Sequence, residues 1–158
     1  MVSMTLTAAG RPMTRVELDA LPDDGRRHEL IDGVLVVTPA PRPRHQALLG
    51  NLYRALLQAC PEALRVYFAP LDVVLADDTI VQPDLLVAPL GQFTDRELPG
   101  APLLAVEVLS PSTPLIDLRL KLARYERPGV RRTGCSTRRR RRCGLGICVR
   151  VLMSRWPR

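Results

Sequence analysis

A chain of 158 residues with 46% apolar residues is long enough for one domain around one core. No run approaches the roughly 18–20 apolar residues of a membrane span, and the first dozen residues lack the basic start and apolar stretch of a secretion signal. The sequence therefore reads as cytoplasmic, with no membrane partner, and its net charge of +7 turns attention to nucleic acid.

Residues 1–12 read as a loose leader. Thr14 and Glu17 form the T-x-x-E pattern of a capping box, which predicts a short helix to about Leu21. Residues 28–31 and 34–38 read as two strands, and Asp32-Gly33 between them is a strong hairpin signal. Pro39, Pro41 and Pro43 then stiffen a loop. A helix is expected over about 44–60, with Leu48, Leu52, Ala55, Leu56 and Ala59 on one face.

Residues 64–69 and 72–75 read as the next strands, Asp77-Asp78 as a turn, and 80–87 as an apolar strand containing Pro83-Asp84. A loop is expected over 90–102 and a strand over 103–109. Residues 110–113 can cap a helix to about Arg127, with Leu115, Leu118, Leu122 and Tyr125 as its buried stripe. A strand followed by a helix calls for a parallel partner strand beside 103–109. The sequence supplies an Arg-rich tail in its place.

Glu107 is the most informative residue. It interrupts the apolar run Leu-Leu-Ala-Val-Glu-Val-Leu, where a carboxylate costs several kcal/mol unless paired or bound to metal. An edge-strand glutamate facing water is the bland alternative. Asp84, at the start of another apolar strand, is either a turn residue or its counterpart. Two acids at the ends of adjacent strands suit Mg2+, which prefers hard oxygen ligands and keeps several waters. Such an ion polarises a phosphodiester and acidifies an attacking water.

Lys121 is the only lysine in the chain, against 22 arginines. Lysine replaces arginine where a compact ammonium or a shiftable pKa is needed. It falls about 80° from the centre of the helix stripe, where its stem can lie along the core and its ammonium can reach the sheet end. Asp117, at i−4, can orient it.

The order Pro-Asp, then Glu-Val-Leu-Ser, then a helical lysine resembles the PD-(D/E)XK nuclease superfamily. More closely, the chain resembles the Uma2 family of putative restriction endonucleases over about residues 13–130. The carrying segments are Leu-Pro-Asp-Asp-Gly-Arg-Arg-His-Glu-Leu-Ile-Asp-Gly at 21–33, Pro-Arg-His-Gln at 43–46, Val-Gln-Pro-Asp-Leu at 81–85 and Val-Glu-Val-Leu-Ser-Pro-Ser-Thr at 106–113. The resemblance implies a restriction-endonuclease-like α/β or α+β fold, a mixed sheet flanked by helices. It implies Mg2+ dependence and DNA as substrate, with Asp84 and Glu107 as metal ligands. The superfamily lysine stands two residues after the glutamate, where this chain has Leu109. In Uma2-like chains it is displaced onto the following helix, which matches Lys121. A further family glutamate maps to Glu29, as a second metal contact or a water-orienting group. His45 and Gln46, opening the long helix, are candidate phosphate contacts, because a helix N-terminus favours anions. Gln82 is a candidate hydrogen-bonding neighbour of the site. A homodimer is left open.

The tail departs from the family. Residues 1–130 hold 13 basic and 16 acidic residues, net −3, whereas residues 131–158 hold ten Arg and no acid, net +10. Cys135, Cys143 and Cys148 lie in the tail and Cys60 in the body, without the C-x-x-C spacing of a zinc site. Uma2-like chains are expected to continue through a strand resembling Pro-Glu-Tyr-Trp-x-Val-Asp-Pro. A Trp-Val-Phe-Asp-Pro coding sequence, TGG GTG TTC GAC CCG, read one base later gives Gly-Cys-Ser-Thr-Arg, which is the sequence at 134–138. The expectation is therefore a frameshifted tail over 131–158, a missing last core strand, and an open sheet edge beside Glu107. Three functions follow: a Mg2+-dependent endonuclease, an inactive relic of one, or a basic nucleic-acid-binding protein that relies on its tail.

Overall fold

The computed structural model describes residues 3–5, 11–109, 121, 123–125 and 148–153. The cap expected at 110–113, the stripe positions Leu115, Leu118 and Leu122, Asp117 and most of the tail lie outside these residues.

The strand order begins with β1 (Ser3–Thr5), a segment expected in a loose leader, which pairs antiparallel with the strand Val34–Thr38. Helix α1 (Arg15–Asp19) opens on the expected capping box, with Glu17 accepting a 2.8 Å hydrogen bond from the Thr14 backbone N–H. β2 (Arg27–Ile31) and β3 (Val34–Thr38) form the hairpin. Its two turn residues, Asp32 and Gly33, have φ of 51° and 74°, the left-handed pair that a type I′ turn requires. A Cβ on Gly33 would collide with Pro12, so this glycine is fixed by space as well as by φ.

Helix α2 spans Pro43–Ala59, with proline in its first turn, where its missing N–H costs nothing. Its packed face is Leu49, Leu52, Tyr53, Leu56 and Cys60. The expected stripe is thus rotated, leaving Ala55 and Ala59 exposed. The larger side chains cover more apolar surface than the two alanines would, so they take the buried side.

β4 (Leu64–Phe68), β5 (Asp72–Ala76), β6 (Thr79–Val81), β7 (Leu85–Pro89), β8 (Glu97–Pro99) and β9 (Leu104–Leu109) follow. The strand expected over 80–87 is two strands, because Gln82-Pro83-Asp84 carries the chain from one sheet to another. The expected 90–102 loop contains a 3-10 turn (Leu90–Gln92) and β8, which pairs in parallel with β5.

Among the described residues the strands form two sheets, not one: β1-β3-β2-β6-β5-β8 and β10-β9-β7-β4. The architecture is mixed α+β, as expected. The open edge is corrected: β10 (Cys148–Met153), from the Arg-rich tail, pairs antiparallel along β9 from Leu104 to Leu109. A largely apolar segment of the tail thus satisfies the β9 backbone on the side where the sequence calls for a parallel strand.

Alternation along the strands assigns the faces. Leu85, Val87, Leu104 and Val106 join the cluster covered by α2. Leu86, Ala88 and Ala105 join Ile31, Val36, Val73, Val81 and Leu98 of the six-stranded sheet in a second cluster. Asp84 and Glu107 have the parity of Leu86 and Ala105, so they stand at the end of this shared inter-sheet core.

Candidate active site

Glu29, Asp84, Glu107 and Lys121 are brought together, and all four are buried, at 0%, 4%, 5% and 2% exposure. Glu29 comes from β2, where alternation places Arg27, Glu29 and Ile31 on one face. Asp84 enters β7 and Glu107 lies on β9. The antiparallel register pairs Leu85 with Val106, and one step further along it sets Asp84 opposite Glu107. Lys121 arrives from the helical segment after β9, together with the buried Tyr125.

The contacts divide the centre into two parts. Lys121 Nζ donates to both Glu29 oxygens at 2.8 Å and lies 3.4 Å from Glu107 Oε1. Glu29 Oε1 also accepts the Gln82 backbone N–H at 2.6 Å. Glu29, read from the resemblance as a metal contact or water-orienting group, is thus the partner that holds Lys121. Beyond the centre, Arg124 from the same helix pairs with Asp32 of the hairpin turn. That contact fastens helix to hairpin close to the Glu29–Lys121 pair.

Asp84 is held by three donors. Arg27 Nη1 reaches Oδ1 at 3.0 Å, the Val108 backbone N–H reaches Oδ2 at 2.7 Å, and His45 Nε2 lies 3.2 Å from Oδ2. Burial pushes the Asp84 carboxyl up, but the His45 and Val108 hydrogen bonds and the Arg27 charge outweigh it and hold the group below its usual range. The Asp84 hydrogen bond in turn raises the His45 imidazole, against its own burial. Glu107 behaves in the opposite way. Burial, with repulsion from Asp84 and Glu29, pushes it up to about 7 despite Lys121 and Arg27.

His45 therefore meets a carboxylate, and its contact is with Asp84. Gln46 is exposed, with no described contact to the four central residues. Gln82 contributes its backbone N–H, while its side-chain Nε2 donates to Asp72 Oδ1 at 2.8 Å. Arg27 is the site residue that sequence reasoning misses, as one of 22 arginines. Once Glu29 is placed on β2, period-two alternation points to it.

The residues present suit a hard divalent cation. Two carboxylates face each other, one of them under-neutralised. Arg27 Nε, His45 Nδ1, Gln82 Oε1 and Tyr125 Oη are buried without hydrogen-bond partners among the described residues. Such polar atoms are costly unless a bound ion, water or substrate completes them. Among the described residues no cluster of three or more His, Cys, Asp or Glu side chains is arranged to hold a metal. Asp84 and Glu107, set opposite each other, are the two carboxylates that could hold such an ion.

Comparison with known proteins bears on the fold and the family. The structure resembles the crystal structure of a putative nuclease belonging to DUF820 from Anabaena variabilis ATCC 29413, with a TM-score of 0.58 and 21% identity. The match covers 71% of this chain and 66% of that one, and at this identity it speaks for the fold. No curated protein matches the chain. The family model for Uma2, putative restriction endonuclease, matches residues 15–143 and so runs past Val130 into the Arg-rich tail. With most of its length matched by that model, the chain belongs to the Uma2 family of putative restriction endonucleases.

Proposed function

We propose that this protein is an endonuclease that hydrolyses DNA phosphodiester bonds with Mg2+. The observation that carries the proposal is the cross-strand placement of Asp84 opposite Glu107, with an ammonium at 3.4 Å from Glu107. Asp84 and Glu107 would hold the ion. Bound there, it supplies charge to the scissile phosphate and acidity to a coordinated water.

The chain's own residues do the rest. Val108 and His45 fix the Asp84 carboxylate, so that its orientation does not depend on the ion. Glu29 grips the Lys121 ammonium from one side and leaves its other side toward Glu107. From there Lys121 orients the attacking water or stabilises charge on the pentavalent phosphorus. Burial of all four groups strengthens each interaction relative to water.

The test is cleavage of supercoiled plasmid and of linear duplex by the full chain, with Mg2+ and with EDTA. Nicking or linearisation that needs Mg2+ and is lost in Asp84→Asn and Glu107→Gln supports the proposal. Cleavage that persists in both variants refutes these two residues as its centre.

A further inference from the structure

We infer that Arg27 is the resident counter-cation of this centre and competes with the metal for Asp84, so that loading the ion means displacing the guanidinium. The inference rests on the metal-dependent reading above. It begins from Asp84, whose two oxygens are unequally engaged. Oδ2 accepts the Val108 N–H at 2.7 Å and faces His45 at 3.2 Å. Among the described residues Oδ1 has one donor, Arg27 Nη1 at 3.0 Å. Oδ1 is therefore the oxygen best left for a cation, and Arg27 sits on it.

Arg27 and Lys121 are fastened very differently. Lys121 is 3% exposed at its side chain and held by both Glu29 oxygens. The Arg27 side chain is 22% exposed. Its Nε stands 3.7 Å from Glu29 Oε2, an ion-pair distance beyond hydrogen-bond range, and is buried without a hydrogen-bond partner among the described residues. A guanidinium has five N–H donors in a rigid fork, and only a fraction of this fork is engaged. Leaving Asp84 therefore breaks a single described hydrogen bond, against the attraction that Glu29 and Glu107 also exert on the guanidinium.

The charges set the direction of the effect. A divalent ion bound at Asp84 and Glu107 would lie within a few ångströms of Arg27, in a buried site where like charges repel strongly. Arg27 thus holds the metal-free carboxylates together and raises the metal concentration needed to fill them. Once displaced, its fork is free for a phosphate, the anion that guanidinium donors match best.

The experiment is a Mn2+ titration of the full chain, with free ion counted by electron paramagnetic resonance. Arg27→Gln removes the charge and should bind Mn2+ at least about tenfold tighter, whereas Arg27→Lys keeps the charge and should stay within about threefold of wild type. Equal or weaker binding by Arg27→Gln, with wild-type binding intact, overturns the inference and leaves the metal reading standing. Absence of Mn2+ binding in every chain, or wild-type binding unchanged by Asp84→Asn, overturns both. Should Arg27→Gln fail to melt cooperatively, the wild-type Arg27 Nε–Hε resonance, identified by its loss in Arg27→Lys, decides the matter. Movement and broadening on Mg2+ saturation supports displacement, and a resonance that stays in place refutes it.

Discussion

Two buried glutamates lie within reach of the same ammonium and have opposite surroundings. Glu29 is closed: both oxygens take Lys121 at 2.8 Å and one also takes the Gln82 N–H. Glu107 is open: among the described residues its nearest cation is 3.4 Å away, and burial with neighbouring acids pushes its carboxyl up to about 7. The six-stranded sheet contributes the closed member and the four-stranded sheet the open one. A buried charge that is fully paired holds structure, whereas one left under-neutralised is poised to bind or react. The difference separates support from chemistry within one centre.

The sharpest way to break this division is to remove each half in turn. Asp84→Asn and Glu107→Gln should each lower Mg2+-dependent cleavage by at least about a thousandfold, because several kcal/mol of charge stabilisation goes with the ion. Both variants should still melt cooperatively in calorimetry. Lys121→Ala strikes both halves. It strands Glu29 without its counter-ion and should cost roughly 3–5 kcal/mol in denaturant unfolding, besides abolishing cleavage. An unfolding midpoint equal to wild type would show that Glu29 does not depend on this lysine.

A third test concerns the edge beside Glu107. Ending the chain at residue 130 removes β10 and exposes the β9 backbone along Leu104 to Leu109. The shortened protein should aggregate in light scattering at concentrations where the full chain stays dispersed. A monodisperse truncated chain would mean that β10 does not protect this edge.

A smaller effect follows from the sign of the Glu107 shift. Its folded pKa of about 7 exceeds the unfolded value near 4.3, so the folded state holds a proton that the unfolded state gives up. That contribution is fully present below about pH 4.3 and is lost as pH rises through 7. Metal-free wild type should therefore lose on the order of 2–3 kcal/mol between pH 5 and pH 8, relative to Glu107→Gln. The stability difference should shift in favour of Glu107→Gln as pH rises from 5 to 8. Gln46→Ala, on the exposed face of α2, should change neither stability nor cleavage by more than about 0.5 kcal/mol.

Much of this centre is legible in the amino-acid sequence. Glu107 stands out because an acid in an apolar strand must be explained, and Lys121 because it survives among 22 arginines. Asp32-Gly33 is readable because few residue pairs tolerate two positive φ values in succession. Arg27 is hidden by the same arginine background that exposes Lys121. β8 escapes because three residues paired at a sheet edge carry almost no periodic signal. β10 escapes for another reason: a short apolar segment is masked by its Arg-rich surroundings, although strand pairing depends on local composition and an available edge. Two sheets in place of one are not readable, since Gln82-Pro83-Asp84 interrupts an apolar run without showing where the chain goes next.

That crossover has a consequence for tolerance. Glu29 rides on one sheet, Asp84 and Glu107 ride on the other, and the Ala69 N–H bonded to the Asp84 carbonyl at 3.2 Å ties together two of the places where the chain changes layers. The spacing of the acids is therefore set by the thickness of the apolar filling between the sheets. Catalytic alignment fails over displacements of about 1 Å, well before a core of this kind loses cooperativity. Thinning the filling at Val73, Leu86 or Leu98 should accordingly register first as slowed turnover, making the active site a gauge of how the two layers are spaced.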